Sequence, residues 1–331
     1  MKSLHVLLLF IMFSCFGCSD SDSDPDAGTD PDVDPPENEV VDLKPTWQAG
    51  EPVFVNGPEG TFDEVAVKDP SIVYHEGQYH LFYTGRDNNF WRLGYATAPT
   101  LPGFTNASHQ FLNSLNAGTY FAAPQVFYFR AKGLWYLIYQ SGLGATFSTN
   151  DDIADPDGWS TSQSMGFGDG IDFWCISDLT YVYCFYSAQD GSRTIKRRRT
   201  SVTEFPFGWG EPEVVAQNTF EAVHVYRNKG DGKYYMIVED ISRHQELWMA
   251  DDLGGVWTKL EEQWAHSGNL NQPENRWTDQ VSHAELIRSG NNEMLEVESL
   301  NQCRMIFQGV LDGNYGDYSR IPYDLGVAQN Y

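Results

Sequence analysis

Positive charge is scarce in this chain. Lys and Arg number 21 against 46 Asp and Glu, for a formal net charge of −25. Phosphate backbones are bound by basic surfaces, so the shortage excludes nucleic acid as a partner. The one basic cluster, Ile195-Lys196-Arg197-Arg198-Arg199, reads in so acidic a protein as a solvated strand edge or loop. Long hydrophobic runs are lacking too. The single candidate, "LHVLLLFIMF" after Lys2, is too short to span a bilayer. No segment shows helical periodicity, and there is no G-x-S-x-G elbow or phosphate-binding glycine loop. His75-Glu76 with His80 approaches a zinc-protease motif. The second His is one residue too far, and the segment is a hairpin turn rather than a helix. Asn106-Ala107-Ser108 matches a glycosylation sequon, which carries weight only in a eukaryotic secretory pathway.

What is present begins with an export signal. The short apolar run is followed by "SCFGCSDSDSD", a small residue before Cys and then a polar stretch. This resembles a bacterial lipoprotein signal, with residues 1–17 cleaved and Cys18 lipidated; Cys15 is the alternative. Residues 19–39 hold seven Asp and two Glu and no basic residue, so they cannot bury a core and repel one another. Residues 18–44 are therefore expected to be an acidic, disordered tether, and 45–331 the folded domain. An acidic run after the lipid-bearing Cys is similar to the surface-export signals of Bacteroidetes lipoproteins. It implies an outer-membrane protein exposed at the cell surface and touching the membrane only through its lipid. Three cysteines remain, Cys175, Cys184 and Cys303. Cys175 and Cys184 fall on adjacent strands of one expected hairpin, where a disulfide and two buried thiols are both open readings.

Five segments share one design: "KDPSIVYHEGQYHLFYT", "AAPQVFYFRAKGLWYLIYQ", "IDFWCISDLTYVYCFYS", "FEAVHVYRNKGDGKYYMIVED" and "SHAELIRSGNNEMLEV". Each is a strand, a turn rich in Gly, Lys, Asp or Asn, and a second strand. Aligned at the strand entry they place Asp69, Ala123, Asp172, Glu221 and His283 in register, at steps of 54, 49, 49 and 62 residues. A period near 50 made of short strands predicts an all-β fold, a five-bladed β-propeller with one four-stranded sheet per repeat. The innermost strand of each blade runs along the axis, so the entry residues converge. Three carboxylates, Asp69, Asp172 and Glu221, then meet beside His283. Glycoside hydrolysis needs two carboxyl groups flanking the bond, one to protonate the leaving oxygen and one to activate water or attack. A third, nearby carboxylate helps hold the acid protonated, because like charge raises a pKa. Aromatics at 15% suit a neutral sugar partner.

The runs "KDPSIVYHEGQYHLF", "YFAAPQVFYF", "GIDFWCISD", "FEAVHVY", "WTDQVSHAELIR" and "IFQGVLDGNYGDYSRIP" resemble glycoside hydrolase family 62, the α-L-arabinofuranosidases of arabinoxylan breakdown, in the clan shared with family 43. The resemblance covers almost all of residues 60–327. It implies Asp69 as general base, Asp172 as pKa modulator, Glu221 as general acid, and inversion of configuration. It implies Lys68 on the arabinose, Gln308 and Tyr318 lining the cleft with Tyr318 on the xylan backbone, and His283 facing a channel calcium mostly through water. A monomer and no organic cofactor are expected. Ser141, Ser319 and Ala284-Glu285 depart from the family pattern, which puts substrate preference in question more than the catalytic core. The competing functions are another exo-glycosidase of the clan, a β-xylosidase or arabinanase, and a non-catalytic surface glycan-binding lipoprotein. The latter predicts loss of a triad acid, and all three are present.

Overall fold

The computed structural model describes residues 39–331 except 116–117, 119, 313–315 and 331. The lipidation residue Cys18, the signal and tether residues 18–38 lie outside that range. Residues 39–44, assigned to the tether from sequence, are seated on the folded domain. The Glu39 carboxylate accepts from Asn228 and the Asn301 backbone, and the Trp264 indole donates to the Asp42 carbonyl.

Each repeat is a meander of antiparallel strands. Blade 1 comprises Ala66–His75, Gln78–Arg86, Trp91–Ala98 and Gln110–Phe111, and blade 2 Phe121–Phe129, Leu134–Ser141, Gly144–Asn150 and Gln163–Ser164. Blade 3 comprises Gly170–Ser177, Tyr181–Ala188, Thr194–Ser201 and Glu213–Gln217. Blade 4 runs Glu221–Asn228, Tyr234–Glu239, Gln245–Ala250 and Thr258–Ala265. Blade 5 takes Ser282–Leu286, Arg304–Gly309 and Asp324–Asn330 from the end of the chain and closes on Trp47–Ala49 from its beginning. This is the five-bladed propeller expected from the repeat. The inner strands are buried on both faces, which is why they read as near-continuous apolar runs.

Every inner strand carries the same irregularity near its entry. A bulge interrupts the pairing with the second strand in all five blades. The bulged residue is left-handed each time: Asp69 (φ +47°), Ala123 (+50°), Asp172 (+56°), Ala222 (+57°) and His283 (+37°). Non-glycine residues rarely hold that conformation, and a bulge re-aims the side chain it carries. The expected register is thereby corrected in blade 4. The equivalent of Asp69 and Asp172 is Ala222, and Glu221 stands one residue earlier.

The strain is supported by hydrogen bonds that run from blade to blade around the axis. The N–H of Ala123 donates to Thr84 Oγ1 of blade 1 (2.8 Å), and that of Asp172 to Gln140 Oε1 of blade 2 (2.8 Å). The N–H of His283 donates to Glu239 Oε2 of blade 4 (2.7 Å), and that of Asp69 to Gln308 Oε1 of blade 5 (2.9 Å). Thr84, Gln140, Glu239 and Gln308 all occupy one position, opposite the residue before the bulge. Blade 3 has Ser187 there, whose hydroxyl is buried without a partner. Its duty passes to Asp172, whose Oδ2 accepts from the N–H of Ala222 (2.9 Å).

A second tier lies deeper along the axis. The N–H of Val126 donates to Ser71, that of Cys175 to Gln125, that of Leu286 to the Tyr226 hydroxyl and that of Ile72 to Glu285. The Trp174 indole reaches the Val225 carbonyl. Arg288, also buried, ties the carbonyls of Ile72 and Val126 to Glu285. Glu285 thus joins the last blade to the first. Cys175 and Cys184 are cross-strand neighbours in blade 3, and they and Cys303 are buried free thiols.

Candidate active site

Three of the bulges, at Asp69, Asp172 and His283, aim their side chains into a pocket of about 280 Å³ at the entry end of the axis. Its walls include Lys68, Asp69, Asp172, Glu221, His283 and Tyr318, all expected from sequence. Gln308 is a correction: it is buried beneath the pocket and does not line it. Both ends of its amide are used inside the fold, Oε1 by the Asp69 N–H and Nε2 as donor to Ser282 Oγ. It supports the backbone of Asp69 rather than lining the pocket.

Asp69 is held for ionisation. Burial pushes its pKa up, but Lys68, His283, the Thr84 hydroxyl and the Ala123 N–H outweigh burial and leave it below the usual carboxylate value. Lys68 Nζ is 3.9 Å from Asp69 Oδ1, and His283 Nδ1 is 3.2 Å from it. Burial keeps His283 below its ordinary pKa against the pull of Asp69. Its ring meets His224 edge-on at 5.2 Å, and His224 stacks on Trp174 at 3.8 Å.

Asp172 is the opposite case. Burial first, then the charges of Glu221 and Asp69, push its pKa well above the carboxylate range. Two carboxyl groups in one pocket are thus pushed in opposite directions by their surroundings.

Glu221 is held by a residue that lay outside the expected set. Arg243, from the turn after Glu239, places Nη1 2.7 Å from Glu221 Oε1 and 2.6 Å from Glu239 Oε1. Glu239 also accepts from the Ser282 hydroxyl. Burial lifts it to about 7 despite Arg243. Opposite stands an aromatic wall. Lys68 Nζ donates to Tyr318 OH (2.5 Å) and lies over the rings of Tyr318 and Trp91 at 4.2 and 4.6 Å. Tyr120 and Gln189 complete that rim with Gln140. A sequence clue existed for Gln140 and Glu239, which end the second strands of their repeats; none marked Arg243.

Among the described residues no three His, Cys, Asp or Glu are gathered to hold a metal ion. Calcium takes six to eight oxygen ligands, whereas His283 offers one imidazole that faces Asp69. A calcium faced by His283, as expected from the resemblance, would therefore draw its shell mostly from water.

The chain matches the model of glycosyl hydrolase family 62 over residues 56–329. It is 33% identical over 282 residues to α-L-arabinofuranosidase C of Cellvibrio japonicus, an alignment covering 80% of this chain and 44% of that relative. The chain thus spans under half the length of that protein. The catalytic domain of the Coprinopsis cinerea family 62 α-L-arabinofuranosidase superposes with a TM-score of 0.82 at 32% identity, over 87% of this chain and 98% of that one. The Podospora anserina α-L-arabinofuranosidase in complex with cellotriose gives 0.81 at 31% identity, over 88% and 98%. With the family model spanning five blades and the strained carboxylates in one pocket, this chain belongs to glycosyl hydrolase family 62.

Proposed function

We propose that this protein is an inverting α-L-arabinofuranosidase that removes arabinofuranosyl side chains from arabinoxylan. The observation that carries the reading is the convergence of Asp69, Asp172 and Glu221, from three different blades, on one pocket of a family 62 propeller. In this reading water attacks the anomeric carbon while Asp69 takes its proton. Glu221 gives its own proton to the departing xylosyl oxygen, the glycosidic bond breaks, and arabinose leaves as the inverted hemiacetal. Asp172 serves by holding the Ala222 N–H, which orients the residue next to the acid. Lys68 contributes a donor to the sugar hydroxyls, and Tyr318 closes the pocket over it. Support for the activity comes from the relatives named above, all α-L-arabinofuranosidases.

The test is digestion of defined arabinoxylan oligosaccharides followed by NMR in the first minutes. The β-anomer of L-arabinofuranose is expected first. Release of xylose or of arabinan fragments instead would place the chain elsewhere in the clan, and the α-anomer first would overturn inversion. From the N-terminal sequence we also propose a monomer carried at the cell surface by a lipid on Cys18. Membrane fractionation of Cys18→Ala cells tests this; full-length processed enzyme still in the membrane would point to Cys15 or another anchor.

A further inference from the structure

A second cavity lies at the far end of the strands that hold the base. Its volume is about 480 Å³, and it opens on the seam where blade 5 meets blade 1. One wall is a cross-strand pair of blade 1: Tyr74 and Tyr79 stand directly opposite one another across the first hairpin. The facing wall is a cross-strand pair of blade 5, Arg304 and Gln329. Tyr74 comes five residues after Asp69, roughly 16 Å of extended strand. It does not line the catalytic pocket, and no single sugar ring reaches both places.

The walls are not those of a packed seam. Tyr74 is half exposed in a strand that is otherwise mostly buried. Its ring leans on Tyr79, with centroids 4.8 Å apart and planes at 56°. The Tyr79 hydroxyl accepts from Arg304 Nη2 at 3.3 Å, which sets the guanidinium against the aromatic wall. That bond uses one of five guanidinium donors. Glu51, exposed, lines the same cavity. Arg304 and Glu51 carry opposite charges, yet among the described residues neither makes an ion pair. A donor and an acceptor thus face one space without satisfying each other.

That set suits a neutral pyranose chain. A tyrosine face takes the apolar C–H side of a xylose ring. A guanidinium, a carboxylate and the Gln329 amide at its edge take neighbouring hydroxyls as donor, acceptor and both. An anionic ligand would meet Glu51 and a net charge of −25. A bilayer surface would need a basic rim, and Arg304 is the one basic residue of this lining. Resting on the activity proposed above, we infer that the seam of blades 5 and 1 is a glycan-binding site separate from the catalytic pocket, and that it holds an undecorated stretch of the xylan polymer. Flat contact with Tyr74 requires that stretch to lack side chains. Held there, the polymer presents its remaining side chains to the pocket at a raised effective concentration.

The experiment is affinity electrophoresis through gels holding soluble arabinoxylan, with every protein carrying Glu221→Gln so that the polymer stays intact. Tyr74→Ala, Glu51→Gln and Arg304→Gln should each weaken the apparent Kd by about 5- to 10-fold, the size of one lost ring contact or hydrogen bond. With Glu221 restored, Tyr74→Ala should raise KM on arabinoxylan and leave kcat/KM on a singly arabinosylated xylotriose as in the wild type. Retardation and polymer KM that do not change in the exposed variants Tyr74→Ala and Glu51→Gln overturn the inference. So does an equal fall of activity on polymer and oligosaccharide. Retardation of the parent by hydroxyethylcellulose and not by arabinoxylan overturns the choice of xylan as occupant. Wild-type enzyme that is retarded by arabinoxylan yet releases no arabinose from the oligosaccharide would instead sink the proposed activity, so the two failures are distinct.

Discussion

Blades 1 and 2 carry one backbone device with different side chains. Asp69 and Ala123 are both left-handed at the bulge, and each N–H is held by a side chain from the preceding blade. Blade 1 puts a carboxylate there; blade 2 puts a methyl group. The bulge and its interblade bond therefore belong to the propeller, present whether or not a blade contributes chemistry. What differs is only the group the bulge delivers. Asp172 in blade 3 does both jobs, because Ser187 leaves the supporting bond unfilled.

The sharpest way to break the comparison is to remove the delivered group and keep the device. Asp69→Asn and Glu221→Gln should each lower kcat by about 10²- to 10⁴-fold, while the melting temperature stays within a few degrees. Activity within a few-fold of wild type would refute the assignment. Removing the device beneath the group comes next. Gln308→Leu leaves the buried Asp69 N–H unpartnered, a loss of about 1–3 kcal/mol by denaturant melts, with kcat lowered as the bulge relaxes. Asp172 separates its two jobs. Asp172→Asn keeps an oxygen acceptor for the Ala222 N–H at little loss of stability. Asp172→Ala gives up that bond and should lose about 1–3 kcal/mol; equal losses in the two variants would argue against this division.

Glu285, in the deeper tier, tests the axis away from the pocket. Burial raises its pKa to about 7 against Arg288. A raised folded pKa means the native state binds the proton more tightly than the unfolded chain does. The resulting stability is complete below about pH 4.3 and is lost as pH rises through about 7. Glu285→Gln should flatten that part of the decline in urea melts between pH 5 and 7.5. The smallest effect is expected at the empty bulge. Ala123→Gly relieves a left-handed alanine and should gain up to about 1 kcal/mol with activity unchanged.

The period of the repeat made the propeller and most of the pocket legible. It misplaced Glu221 by one residue, and the cause can be named. Matching "FEAVHVY" to "KDPSIVY" pairs Tyr226 with Tyr74, yet Tyr226 is fully buried and Tyr74 about half exposed. They sit on opposite faces of their strands, so the shared tyrosine is not a shared position. Gln308 was legible as important but not as buried, since a strand residue two positions from a loop can point either way. Arg243 lies in a turn outside the repeat pattern, and no periodicity reports on a turn.

The closing strand of blade 5 also puts the site on a clock. Trp47–Ala49 pairs with Asp324–Asn330, a strand that leaves the ribosome long after it. Asp69 likewise waits for Gln308, 239 residues downstream. A ribosome must deliver all five blades before Asp69 has its support or the ring its latch. The pocket is therefore assembled only with the fifth blade, and a fragment cut short within that blade has the carboxylates but not the Gln308 support beneath Asp69.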